Sequence, residues 1–197
     1  MKIARIWQEW VRLMLWESTN AQKPWRTPSE RIIGQNLEAT IKNTNNRLII
    51  ATFASNIWRV IQIIEAAAKY DKVVFVSWRS MVNNIEIVKQ LWYINVPHWF
   101  VRKVSDEINT LPDNRVVVLC TWAQWEEFAA LTRISRNEDK YVHLKPGDQI
   151  LMSATPIPGN EKAVISMMND FVRHWIEVIT NSNLDIHASW HAYQEDI

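Results

Sequence analysis

Glycine is scarce in this sequence. Its 197 residues include only 3 glycines, where an ordinary composition of about 7% would supply roughly 14. Cysteine is nearly absent. The one thiol, Cys120, sits in an apolar run, which excludes a disulfide framework and fits a reducing compartment. No stretch reaches the roughly 18 apolar residues of a membrane span. The opening Met1-Lys2-Ile3-Ala4-Arg5 is followed by no apolar leader core, so a cytoplasmic protein without a membrane partner is expected. Excess charge is missing too. The formal net charge is +1, so nucleic-acid binding would have to come from local sites rather than from a broad field. The five histidines, His98, His143, His174, His187 and His191, lack metal-ligand spacing. His187 and His191 stand four apart, but in a strand-to-turn context that disfavours a shared metal. No His-x-His-x-Asp-His block, Gly-x-Gly-x-x-Gly turn or Walker loop occurs, and the last two absences disfavour a nucleotide-binding domain. What is abundant is apolar residues, at 48%, and tryptophan, at 12. The first suffices for a sizeable core.

Short apolar runs alternate with amphipathic segments. Val11–Leu15, Leu48–Phe53, Val73–Val76, Val116–Cys120, Gln149–Ser153 and Ile176–Thr180 read as strands buried on both faces of a parallel sheet. Thr27-Pro28-Ser29-Glu30 reads as a capping box opening a helix that runs to about Asn43. Ser55 is the expected cap of a helix through Tyr70, with Ile57, Val60, Ile61 and Ile64 on one face. Further helices are expected at Met81–Leu91, Glu126–Ser135 and Glu161–His174. This order predicts a doubly wound α/β sheet with its site at the carboxyl ends of the strands.

The turns after the strands are chemically suggestive. They read Glu17-Ser18-Thr19-Asn20, Ala54-Ser55-Asn56, Ser77-Trp78-Arg79-Ser80, Thr121-Trp122-Ala123-Gln124-Trp125-Glu126 and Ser153-Ala154-Thr155-Pro156. Small hydroxyl and amide residues at strand-to-helix turns place donors at helix N-termini, which is a physical anion site. Arg79 adds a forked donor suited to phosphate. Each turn alone is more readily read as a helix cap; their recurrence on one sheet edge shifts the balance toward a ligand.

On these same residues the sequence resembles the ribonuclease J family. The resemblance rests on Glu17-Ser18-Thr19-Asn20-Ala21, Thr27-Pro28-Ser29-Glu30, Thr52-Phe53-Ala54-Ser55-Asn56-Ile57, Ser77-x-Arg79-Ser80-Met81 and Leu119-Cys120-Thr121-x-x-Gln124-x-Glu126. It continues in Pro156-Ile157-Pro158-Gly159-Asn160-Glu161 and Asp185-Ile186-His187-Ala188-Ser189-x-His191-Ala192. It implies a metallo-β-lactamase domain with an inserted β-CASP α/β domain. Residues 29–180 would be the insert, with 1–28 and 181–197 as segments of the parent domain. The implied reaction is hydrolysis of RNA phosphodiesters by a hydroxide on two divalent metal ions, zinc or manganese. The implied partners are RNA, preferably 5′-monophosphorylated, and further copies of the full-length protein. Glu17 would fall at the acidic motif A, where ribonuclease J more often has Asp, and His191 at the motif B histidine. A carboxylate beside the imidazole would favour a proton-donating imidazolium, so Glu17 and His191 are expected to approach each other. Ser55, Asn56, Ser77, Arg79, Ser80, Thr121, Gln124, Ser189 and Trp190 would bind RNA or phosphate, with Ser55, Ser77, Arg79, Ser80 and Ser189 lining one groove with His191. The metal ligands would lie outside the chain, which would then be a fragment without a metal centre of its own. The competing reading is a non-catalytic RNA-binding module of the same fold.

The tryptophans fall where glycine belongs. Trp92 and Trp175 directly follow helices, at the position where a left-handed residue ends a helix. Trp78, Trp122, Trp125 and Trp190 fall on glycines of the family's turns, and Trp7, Trp10, Trp16, Trp25, Trp58 and Trp99 lie at or beside element ends. Base stacking is one reading, since RNA bases stack on indoles. The other is a UGA codon meaning glycine but read as tryptophan; read that way, the glycine content becomes ordinary. Deliberate glycine-to-tryptophan engineering is a third.

Overall fold

The fold is described by a computed structural model, covering residues 8, 12–13, 18–77, 79–122, 130–156 and 159–197, with Arg79 described in its backbone only. The expected strand Val11–Leu15 therefore lies mostly outside the described residues. The chain divides into two compact units. One comprises Met1–Pro28 and Ser189–Ile197, the other Ser29–Ala188.

The larger unit is a doubly wound α/β domain. Its elements run α1 (Glu30–Asn43), β1 (Leu48–Thr52), α2 (Ile57–Lys69), β2 (Val73–Val76), α3 (Arg79–Gln90), β3 (Val101–Lys103), β4 (Val116–Thr121), α4 (Ala130–Ser135), β5 (Gln149–Ser153), α5 (Glu161–Arg173) and β6 (Glu177–Ile179). The six strands form one sheet in the order β3-β2-β4-β1-β5-β6, and every pairing is parallel. The β1, β2 and β4 strands are buried throughout, as the continuous apolar runs require. Leu48, Ile50, Val117 and Leu119 face a core built with Ile33, Leu37 and Ile64 of α1 and α2 and Met81 of α3. Ile49, Ala51, Val118 and Cys120 face the opposite core, built with Leu131 and Ile134 of α4 and Phe171 of α5. A sheet covered on both faces leaves its strand ends as the place where polar groups can meet a ligand.

Local chemistry corrects the reading of two helix starts. The cap of α1 is Ser29, whose hydroxyl accepts from the Arg31 amide, and Glu30 is already the first helical residue. The expected capping box from Thr27 does not form, because the hydroxyl and amide of Thr27 both donate to Asp196, while the Glu30 carboxylate is taken by Arg59. The cap of α2 is Asn56, whose side-chain oxygen accepts from the Arg59 amide at 3.2 Å, rather than Ser55. The three-residue β3 was not expected; so short an edge strand carries little periodicity.

Four helices end in one way. After α2, the Lys72 amide donates to the Ala67 carbonyl and the Asp71 amide to that of Ala68. The same crossed pair recurs at Tyr93–Val88 and Trp92–Lys89 after α3, at Glu138–Arg133 and Asn137–Ile134 after α4, and at Ile176–Phe171 and Trp175–Val172 after α5. This closure puts one residue in the left-handed region. Here that residue is Asp71 (φ 55°), Trp92 (62°), Asn137 (59°) and Trp175 (59°).

Among the described residues no helix is long and apolar enough to cross a membrane.

Candidate nucleic-acid interface

The register levels the strand ends. Thr52 of β1 pairs with Thr121 of β4 on one side and with Ser153 of β5 on the other. Three hydroxyl residues thus form a row across adjacent strands, all buried. The row continues to β2, where Ser77 leaves the strand and its amide donates to the Leu119 carbonyl at 3.0 Å.

Just beyond this row lie the turns singled out in the sequence. Ser55 is exposed, directly before the cap of α2. Asn56 is buried, and its Nδ2 meets no acceptor among the described residues. A buried amide donor without a partner is costly unless a ligand or water answers it. Ser80 is exposed in the first turn of α3. The Ala54 carbonyl accepts from Asn84 of α3 at 3.1 Å, tying the β1 turn to the helix that follows β2. The sheet therefore brings Ser55, Asn56, Ser77, Ser80 and Thr121 to one edge. Arg79 opens α3 there with its backbone, and its side chain lies outside the described residues, as do Gln124 and Glu17.

The first turn of α5 supplies its own anion. The Glu161 carboxylate accepts from the Gly159 amide at 2.9 Å. Hydrogen bonds from its own backbone and from Gly159 hold the Glu161 carboxyl below its ordinary value. Its own carboxylate thus fills the anion position at this helix N-terminus.

Arg59 is a buried fastening residue behind this edge that the sequence reading missed. It is fully buried. One guanidinium nitrogen donates to both oxygens of Glu30, at 2.9 and 2.8 Å. The other donates to the Ile186 carbonyl at 2.6 Å and to the Ser153 hydroxyl. Ser153 donates to the same carbonyl. The segment ending in Ile186-His187-Ala188 is thereby fastened to the carboxyl end of β5. The available signal was an arginine with apolar Ile63 and Ala66 four and seven positions on, hence on the buried stripe of α2.

The smaller unit carries Ser189, Trp190 and His191. Asn20 and Tyr193 form a parallel bridge, and the Gln194 amide donates to the Lys23 carbonyl at 3.0 Å. The Ser189 hydroxyl accepts from the Asn20 side chain at 2.8 Å and from the His191 amide at 3.2 Å. Trp190 projects its indole into solvent and His191 is exposed. The expected groove residues are thus divided between two units, and Glu17, the expected partner of His191, lies outside the described residues. Among the described residues no three His, Cys, Asp or Glu side chains come together as metal ligands. The metal pair implied by the resemblance has no described seat in this chain.

A six-stranded parallel sheet flanked by helices, with polar turns on one edge, places this unit in the doubly wound α/β class. Comparison with known proteins identifies it further. Residues 45–171 match the family described as ribonuclease J, beta-CASP domain, and the chain belongs to that family. It is 36% identical over 196 residues to ribonuclease J of Helicobacter pylori strain B128, covering 99% of this chain and 28% of that protein. It is 36% identical over 197 residues to ribonuclease J of Mycoplasma pneumoniae, covering all of this chain and 34% of the relative. With ribonuclease J of Mycolicibacterium smegmatis it shares 37% identity over 195 residues, 99% of this chain and 35% of the relative. The chain spans about a third of the length of these relatives.

Proposed function

We propose that this chain is the RNA-gripping part of a metal-dependent ribonuclease that hydrolyses RNA phosphodiesters in RNA processing and decay, from a 5′ end, internally or both. Family membership supports the substrate class. The observation that carries the grip is Asn56: a buried amide at the N-terminus of α2, with Nδ2 unanswered among the described residues and flanked by Ser55, Ser77, Ser80 and Thr121. Donors at a helix N-terminus favour an anion, and a backbone phosphate or 5′-monophosphate supplies one. Arg79 is assigned to the same phosphate. Ser189, Trp190 and His191 are assigned to the returning segment, with Glu17 as the carboxylate partner of His191. The pairing of residues 18–28 with 189–197 supports reading them as segments of one parent domain. The role assigned to this chain is binding and orientation, with the two metals, zinc or manganese, held by ligands from the rest of the protein. Self-association and a cytoplasmic setting belong to the same reading of the whole protein.

The test uses the full-length protein and Asn56→Asp. Aspartate keeps the oxygen that caps α2 and removes the Nδ2 donor. Binding of 5′-monophosphorylated RNA, followed by fluorescence anisotropy at fixed salt, should weaken at least tenfold while the circular dichroism is retained. Unchanged affinity would remove Asn56 and this edge from the site. Binding without cleavage by the intact protein, supplied with zinc or manganese, would favour a non-catalytic RNA-binding module.

A further inference from the structure

Tryptophan is treated differently from phenylalanine in this chain. Phe75 and Phe171 are fully buried. Of the seven described tryptophans, Trp25, Trp58, Trp92, Trp99, Trp175 and Trp190 are exposed, with Trp92 and Trp175 each at 86%. Leu13, Leu91 and Val172 are exposed as well, but Trp92 and Trp175 exceed them, and six exposed indoles among seven is abnormal for a side chain that is usually well buried. The one buried indole, Trp122, leaves its Nε1 without a partner among the described residues. A buried indole N–H normally finds an acceptor.

The helix ends supply an internal control. Four helices close with the same crossed hydrogen bonds. Two place Asp71 and Asn137 at the left-handed position, and these are the side chains that tolerate it. The other two place Trp92 and Trp175 there, where glycine is the ordinary residue. Trp25 adds a third left-handed tryptophan, at φ 71°. Two of the three glycines as written, Gly147 and Gly159, also have positive φ, at 90° and 99°. Trp92 and Trp175 do not fit a stacking platform for RNA. They end helices that run antiparallel to the strands, so they lie toward the amino edge of the sheet, away from Asn56 and Thr121.

We propose that the tryptophans of this chain stand at glycine positions of the working protein, and that the sequence as written reads as tryptophan a UGA codon that its source reads as glycine. The left-handed helix ends then carry the residue that their geometry requires. The exposed indoles and the unmatched Nε1 of Trp122 disappear together. At position 122, on the carboxyl edge beside Thr121, a glycine leaves the backbone open to close approach. The proposal stands independently of the RNA reading, since the left-handed helix ends at Trp92 and Trp175 carry it without the carboxyl edge.

The experiment is to sequence the gene and to analyse the protein purified from its own source by intact mass and peptide mass spectrometry. The expected result is UGA at all 12 tryptophan positions, with GGN codons at Gly34, Gly147 and Gly159. Peptides spanning these positions should be lighter by the tryptophan–glycine difference at each position and should lack indole absorbance. UGG at most positions would overturn the proposal. So would indole-containing peptides from a gene that carries UGA.

Discussion

A single guanidinium nitrogen of Arg59 in α2 donates to both carboxylate oxygens of Glu30 in α1, at 2.8 and 2.9 Å, with the guanidinium fully buried and the carboxylate partly open to solvent. The same arginine also holds the Ile186 carbonyl. Two helices, the end of β5 and the chain leading out of the domain thus meet at one side chain. Arg59→Ala should destabilise the domain by about 3 kcal/mol. That is the low end of the about 3–5 kcal/mol lost when one member of a buried pair is removed, because Glu30 can regain water. Glu30→Ala should cost more than Glu30→Gln, which keeps one acceptor beside the buried cation. Urea unfolding of the three variants checks this. An unchanged midpoint for Arg59→Ala would mean that the clamp contributes nothing.

The left-handed tryptophans make a prediction about stability. A residue with a Cβ in that conformation costs roughly 1–2 kcal/mol, and glycine returns about 1 kcal/mol of it in the unfolded state. Trp92→Gly and Trp175→Gly should therefore each stabilise the chain by up to about 1 kcal/mol. Trp92→Ala and Trp175→Ala, which keep the Cβ, should recover less. The two sites end different helices, so their effects should add. Thermal melts of the four single variants and the double glycine variant separate relief of strain from mere loss of an exposed indole.

Asp196 predicts an acid-sensitive contact in the smaller unit. Its carboxylate accepts from the amide and hydroxyl of Thr27, both at 2.7 Å. The Thr27 amide first, then the Thr27 hydroxyl, holds the Asp196 carboxyl below its ordinary value of 3.8. A carboxyl depressed on folding contributes stability that is present above the unfolded value and is lost as pH falls through the folded value. The contact should therefore be intact at neutral pH and loosen only below about pH 4. NMR titration should show the Thr27 amide shift following Asp196, with a midpoint under that of an exposed aspartate. A midpoint at or above the ordinary value would contradict the geometry.

Cys120 should be chemically silent in the native chain. It is fully buried in β4, and burial pushes its thiol up to about 12. The thiolate is the reactive form, so a thiol reagent at pH 8 should label it only after denaturant is added. Rapid labelling of the folded protein would mean that β4 opens locally.

Much of the architecture was legible from periodicity. The apolar runs at Val73–Val76 and Gln149–Ser153 are strands with the expected ends, and the helix expected over Glu161–His174 spans Glu161–Arg173. Such runs have one stable use in a short α/β chain, burial between two layers of helices. Helix starts were less legible, because several neighbouring residues can cap and their other partners decide. Thr27 was drawn away by Asp196 and Glu30 by Arg59, contacts 169 and 29 positions apart.

By itself, the sequence determined the parallel sheet, the polar character of its carboxyl-edge turns and the family to which those turns belong. It also marked the tryptophans as misplaced, because the shortage of glycine and the helix-end positions are both visible in one dimension. Only the tertiary structure decided that Thr121, Thr52 and Ser153 stand in one row, and that Asn56 rather than Ser55 caps α2 and keeps a donor unanswered among the described residues. It alone turned an arginine on an apolar stripe into the clamp on Ile186. The physical reason is that apolar burial is encoded as a local period, whereas a hydrogen-bond partner is chosen by strand register and chain crossing, which bring distant residues together only when the domain closes.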